Sequence, residues 1–280
     1  MLKNIIEHKK NKWLQSKDCP VHNLALYIKE KGMLRDTQIE AIETYLYLKI
    51  EGQNKPLWKL FSEGFFIIGT DLSQYDLHHN YAANYLANNI KALSLFDFAT
   101  QKVGEKMLLP ELAELILKNP EKINYDQIIK NMFYNVNYAD YLMSLPMGAG
   151  KTYLMAALIY LDLYFAHSEP KNETFAHNFL VLIPSGLKSS IVPSLRTIED
   201  FDPTWVIPDP AASELKRMLK FEILDDTRST KKCKRQRNST YNLRFNRDTL
   251  SPSLLIDGGR YEQPNQATHL ATDYFPMAGV

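Results

Sequence analysis

The chain has 280 residues, 45% of them apolar and 23% charged, with a formal net charge of +1. This is the composition of an ordinary globular protein, with room for one large domain or two small ones and a sizeable core. Near-neutrality excludes whole-chain electrostatics as the means of choosing a partner, so only local charge clusters can do so. Cys19 and Cys233 lie too far apart in sequence to suggest a disulfide framework or a zinc site, which fits a reducing compartment. Met1 to Gln15 is charged and lacks the apolar heart of a signal peptide. The longest apolar run, Tyr153 to Ala166, is short of a membrane span and contains Asp162. A cytoplasmic protein with no membrane partner is expected.

In chain order, residues 1–33 read as a helical lead-in rich in Lys and Glu. Leu34 to Ile50 is a clearer helix, with Leu34, Gln38, Ala41, Ile42, Tyr45, Leu46 and Lys49 at three- and four-residue steps. At its start stands the pair Arg35-x-x-Gln38. A glutamine carboxamide donates and accepts at once, which matches the N6/N7 edge of adenine. The plainer reading is a solvated helix start capped by Asp36 or Thr37. Residues 54–137 are mostly helical in pattern, as in Tyr81 to Phe98 and Leu109 to Leu117, broken at Pro110 and Pro120. His78 and His79 read as solvated, because neighbours on a helix face different ways and no further ligand is placed nearby. The interleaved Tyr and Phe residues read as core.

The chain is organised around Leu145-Pro146-Met147-Gly148-Ala149-Gly150-Lys151-Thr152. An apolar lead-in, Tyr138 to Leu145, precedes it and predicts a strand; a long apolar helix is predicted from Thr152 to Ala166. A strand, a glycine turn and a helix in that order make a phosphate cradle. The N–H groups of Gly148, Ala149 and Gly150 converge on the anion, and the helix N-terminus adds partial positive charge. Lys151 then reaches the β/γ-phosphates and the Thr152 hydroxyl ligates Mg²⁺. The bound pair is thus ATP with Mg²⁺. The eight-residue pattern normally opens on glycine, where this chain has Leu145. The bland alternative is a surface turn that happens to spell Gly-Lys-Thr.

Phe179 to Pro184 is a continuous apolar run ended by proline, as in a strand buried on both faces of a parallel sheet. Strand, helix and strand make a right-handed βαβ unit. The loop Ser185 to Ser190 offers hydroxyls, a glycine and Lys188, suited either to nucleic-acid phosphates or to capping the next helix. Trp205 to Ile207 reads as a short strand and Ala211 to Phe221 as a helix. Residues 227–247 carry Arg228, Lys231, Lys232, Lys234, Arg235, Arg237, Arg244 and Arg247 and no acid. Such a segment is a solvated loop, a grip on nucleic-acid phosphates, or both. Beyond Leu250 the pattern degrades.

With Arg35 and Gln38, the glycine turn, and Leu182-Ile183-Pro184 with its loop, residues 34–225 resemble superfamily 2 DNA helicases. The group it is most similar to has a DEAD/DEAH-type motor, as in the restriction subunit of type III restriction enzymes. The resemblance implies an ATP- and DNA-binding motor, with duplex DNA as partner and a modification or other subunit beside it. It places Arg35 and Gln38 at the adenine, and Ser185, Lys188, Lys231, Lys232, Lys234, Arg235 and Arg237 at nucleic acid. The implied fold is α/β: an incomplete RecA-like P-loop domain with a parallel sheet, preceded by a large helical insertion. Its parts are a lead-in (1–33), an adenine-side helix (34–53), the insertion (54–137), the P-loop core (138–225), and a basic loop with an irregular tail (226–280).

One departure is decisive for activity. The family's next motif is a strand ending in Asp-Glu, which holds Mg²⁺ through water and orients the attacking water. No Asp-Glu pair occurs in the chain. Leu254-Leu255-Ile256-Asp257 supplies one carboxylate, followed by Gly258. The second motor domain with its arginine finger is also missing, so weak or no hydrolysis by the chain alone is expected. An N-terminal portion of a longer helicase, truncated or frame-shifted, is the reading that fits. A P-loop kinase-like enzyme, or a non-catalytic interaction module with a vestigial phosphate loop, are the alternatives.

Overall fold

The computed structural model describes residues 2–69, 81–179, 181 and 196–220. In chain order the described elements are α1 (Leu2–Leu14), α2 (His22–Lys31), α3 (Asp36–Leu46), a π-helical turn (Tyr47–Glu51), α4 (Leu57–Ser62), α5 (Tyr81–Asn88) and α6 (Ile90–Thr100). A two-stranded antiparallel hairpin follows, β1 (Lys102–Val103) with β2 (Lys106–Met107), in which Lys102 faces Met107 and Val103 faces Lys106. Then come α7 (Pro110–Lys118), a 3₁₀ turn (Pro120–Lys122), α8 (Tyr125–Met132), α9 (Lys151–Ser168), a 3₁₀ turn (Pro203–Trp205) and α10 (Ala211–Met218). The described residues are therefore mostly helical. They fall into two compact units, one of residues 1–18 and 47–140, the other of residues 19–46 and 141–280.

The first unit is built around α6. Ala92, Leu95, Phe96 and Ala99 are completely buried, and α4, α5, α7 and α8 all pack on this helix. Asn89 starts α6 by accepting a hydrogen bond from the Ala92 N–H at 3.2 Å, and so splits the predicted 81–98 helix in two. Pro110 sits in the first turn of α7, where its missing N–H costs nothing. Phe61 holds Phe66, Phe98 and Phe133 around it, so much of the aromatic content of this stretch forms core, as read from the sequence, whereas Tyr81 and Tyr134 are exposed. Asp97, also buried, accepts hydrogen bonds from the backbone N–H groups of Ile68 (3.1 Å) and Gly69 (3.3 Å). An internal carboxylate thus closes that loop.

The second unit is built around α9, which packs against α3 and α10. Leu154, Ala156, Ala157, Ile159, Tyr160, Leu161, Leu163 and Ala166 are buried, so the helix is apolar nearly all round, as its sequence predicts. The exception is buried Asp162, which accepts from the Tyr45 hydroxyl at 2.8 Å and from the Ala176 N–H at 3.2 Å. Burial, and then the Asp162 charge, raises the Tyr45 phenol well above its ordinary range.

Two predicted strands differ. Residues 139–146 carry no regular secondary structure. A strand is defined by its neighbour's hydrogen bonds, and the expected neighbour, Phe179 to Pro184, lies almost entirely outside the described residues. Trp205 to Ile207 is a turn: Pro203 fits its first position, and the Asp202 carboxylate accepts from the Thr204 N–H at 2.9 Å, which curls the chain. Val206 and Ile207 are buried behind that turn. No described helix is long and apolar enough to cross a membrane.

Candidate phosphate site

The glycine turn lies in the second unit, at the N-terminus of the 18-residue helix α9. Gly148 and Gly150 both have left-handed backbones, with φ of +75° and +76°. Only glycine takes that conformation without cost, so the two glycines shape the turn. The Ala149 N–H donates back to the Pro146 carbonyl at 3.2 Å, closing a tight bend. Leu145 is buried where the turn begins, and Met147 is almost fully exposed at its tip.

Two side chains of the α3 start hold this turn. The Arg35 guanidinium donates through Nη1 to the Gly148 carbonyl. The Gln38 amide Nε2 donates to the Gly150 carbonyl at 2.8 Å, and its Oε1 accepts from the Arg35 N–H at 2.9 Å. Gln38 is only 4% exposed, so its carboxamide is fixed by partners on both sides. Each end of that group still keeps one more capacity, an amide hydrogen and a lone pair. A Cβ at Gly150 would stand 2.7 Å from Gln38 Nε2, inside contact distance, which makes glycine necessary there on packing grounds as well.

With the Gly148 and Gly150 carbonyls tied at the start of α3, the turn keeps its donors except one: the Ala149 N–H, expected to face an anion, is spent on the Pro146 carbonyl that closes the bend. A helix leaves its first N–H groups without intrahelical partners. Among the described residues, no hydrogen bond takes up the N–H of Gly148, Gly150, Lys151 or Thr152, and Gly150 brings no side-chain cap. Lys151 is exposed, and no described ion pair or hydrogen bond engages its ammonium. Thr152 is half-buried one residue further on. The structure therefore brings Arg35, Gln38, Gly148, Ala149, Gly150, Lys151 and Thr152 into one place. These groups fit a polyphosphate: backbone donors, a dipole of the right sign and a mobile cation at one helix end. Among the described residues no three His, Cys, Asp or Glu side chains cluster as a metal cage. A Mg²⁺ ion here would depend on the Thr152 hydroxyl, phosphate oxygens and water, as this ion commonly does. Ser185, Lys188, Lys231, Lys232, Lys234, Arg235, Arg237, His78, His79 and Asp257 lie outside the described residues.

One neighbouring feature was not legible in the sequence. Tyr153, 40% exposed, stacks on Trp205 with ring centroids 5.5 Å apart and planes 9° from parallel. Phe201 meets Trp205 edge-on at 5.3 Å. The only sequence signal is an aromatic directly after Gly-Lys-Thr, which reads equally as helix core; its partner lies some fifty residues on. Comparison with family models, with curated proteins and with solved structures gave no match.

Proposed function

We propose that the chain binds ATP with Mg²⁺ through Gly148 to Thr152, as the nucleotide-binding part of a helicase- or restriction-type ATPase. The observation that carries this is the turn itself. Two left-handed glycines open α9 while Arg35 and Gln38 fasten the carbonyls of the same turn. Tying carbonyls outward leaves N–H groups for an anion, and the adjacent lysine supplies the counter-charge. The remaining hydrogen-bond capacity of Gln38 suits an adenine edge. The finer fold in this proposal is RecA-like, with Tyr138 to Leu145 and Phe179 to Pro184 as parallel strands of one βαβ unit.

ATP supplies phosphoanhydride bonds for hydrolysis, but this chain lacks the Asp-Glu pair that would position water, so binding with little turnover is the expected activity. Duplex DNA is the second proposed ligand. The support is compositional: eight Lys and Arg between residues 227 and 247 with no acid among them. A DNA affinity that did not change with salt would remove that part of the proposal.

The direct test is calorimetric titration of Mg-ATP into the wild type and Lys151→Ala. Loss of one charge-assisted contact should weaken binding on the order of tenfold or more. Equal affinity in the two proteins, or none in the wild type, overturns the reading.

A further inference from the structure

We infer that Tyr153, backed by Trp205, is the stacking face for the base of a nucleotide whose phosphates sit on the glycine turn; this rests on the phosphate-site reading above. A nucleotide bound by its phosphates alone leaves a flat aromatic base to be placed within one ribose length of the turn. The described surface next to the turn offers one matching group. The Tyr153 ring belongs to the first turn of α9, and its Cδ2 lies 3.7 Å from a Cβ built on Gly150. Gln38 Nε2 lies 2.7 Å from the same point. An exposed ring therefore stands beside the residue of the turn that Gln38 fastens, where it can meet the face of a base.

The ring is also pre-set. Trp205 supports it in a near-parallel stack, and the segment carrying Trp205 is pinned at several points. The Tyr27 hydroxyl donates to the Thr204 carbonyl at 2.6 Å. The Lys216 ammonium donates to the Phe201 carbonyl at 2.8 Å and to that of Glu199. Tyr160 stacks on Phe201 at 5.7 Å from beneath. A held ring loses little freedom when a base lands on it, which favours binding.

The experiment compares Mg-ATP and inorganic tripolyphosphate as ligands of the wild type, Lys151→Ala, Tyr153→Leu and Tyr153→Phe. Removing a stacking ring should weaken Mg-ATP on the order of tenfold. Tyr153→Leu should therefore lose that factor for Mg-ATP and keep its tripolyphosphate affinity. Tyr153→Phe should keep both, and Lys151→Ala should lose both. Trp205 fluorescence should respond to Mg-ATP and not to tripolyphosphate. If Lys151→Ala weakens both ligands while Tyr153→Leu binds Mg-ATP like the wild type, the stacking inference is wrong and the phosphate site stands. If Tyr153→Leu loses both ligands equally, the ring merely shapes the turn and the inference is again overturned. If Lys151→Ala loses neither, the phosphate reading itself fails.

Discussion

The two compact units each hold a loop by buried polar groups, but they hold opposite ends of the peptide dipole. In the first, the Asp97 carboxylate takes the N–H groups of Ile68 and Gly69, so the loop's donors are spent on an internal anion. In the second, Arg35 and Gln38 take the carbonyls of Gly148 and Gly150. The first arrangement is complete in itself. The second leaves the N–H groups of Gly148 and Gly150 without a partner among the described residues. A buried polar residue beside a loop is thus not evidence of a site; which backbone groups it satisfies decides the matter.

Breaking the first loop should have the largest effect. Asp97→Ala removes the acceptor of two backbone N–H groups that are partly open to water, so denaturant unfolding should show a loss of about 1–3 kcal/mol in all. A change below about 0.5 kcal/mol would mean that water replaces the carboxylate without cost, and the contrast between a closed and an open loop would fall.

The open loop should break more locally. Gly150→Ala forces a side chain into a left-handed backbone, at about 1–3 kcal/mol, and drives its Cβ against Gln38 Nε2. Mg-ATP affinity should fall at least tenfold, while Gly148→Ala, where a Cβ meets nothing within 4 Å, should be milder. Equal losses in the two variants would show that backbone strain alone matters and that the Gln38 contact does not.

The smallest expected effect concerns alkaline pH. Tyr125, in the first unit, donates its hydroxyl to the Pro120 carbonyl at 2.8 Å. Burial, then the nearby Tyr85 and Glu121, push its phenol up to about 12. A phenol raised in the folded state adds stability that is full below the unfolded value near 10 and is lost as pH rises through about 12. Tyr125→Phe should therefore flatten the alkaline stability loss between those limits. Denaturant unfolding across that pH window is the readout, and an unchanged slope would reject this assignment.

Sequence pattern carried the local chemistry. Gly148 and Gly150 announce a left-handed turn before a helix because backbone freedom is a property of residue type, and α9 is written in a nearly continuous apolar run. Asn89 and Asp202 show where pattern failed: a side chain bonding nearby backbone outweighed the periodicity and turned a long helix into two and a short strand into a turn. Three matters were decided only in three dimensions. The Gln38 carboxamide reached across 112 positions to the Gly150 carbonyl. Asp162, a blemish in an apolar helix, became the acceptor for Tyr45 and Ala176. Tyr153 found Trp205. Composition and spacing fix what a residue can do within a few positions of itself, whereas its partner at long range depends on how helices pack, which no short window of sequence contains.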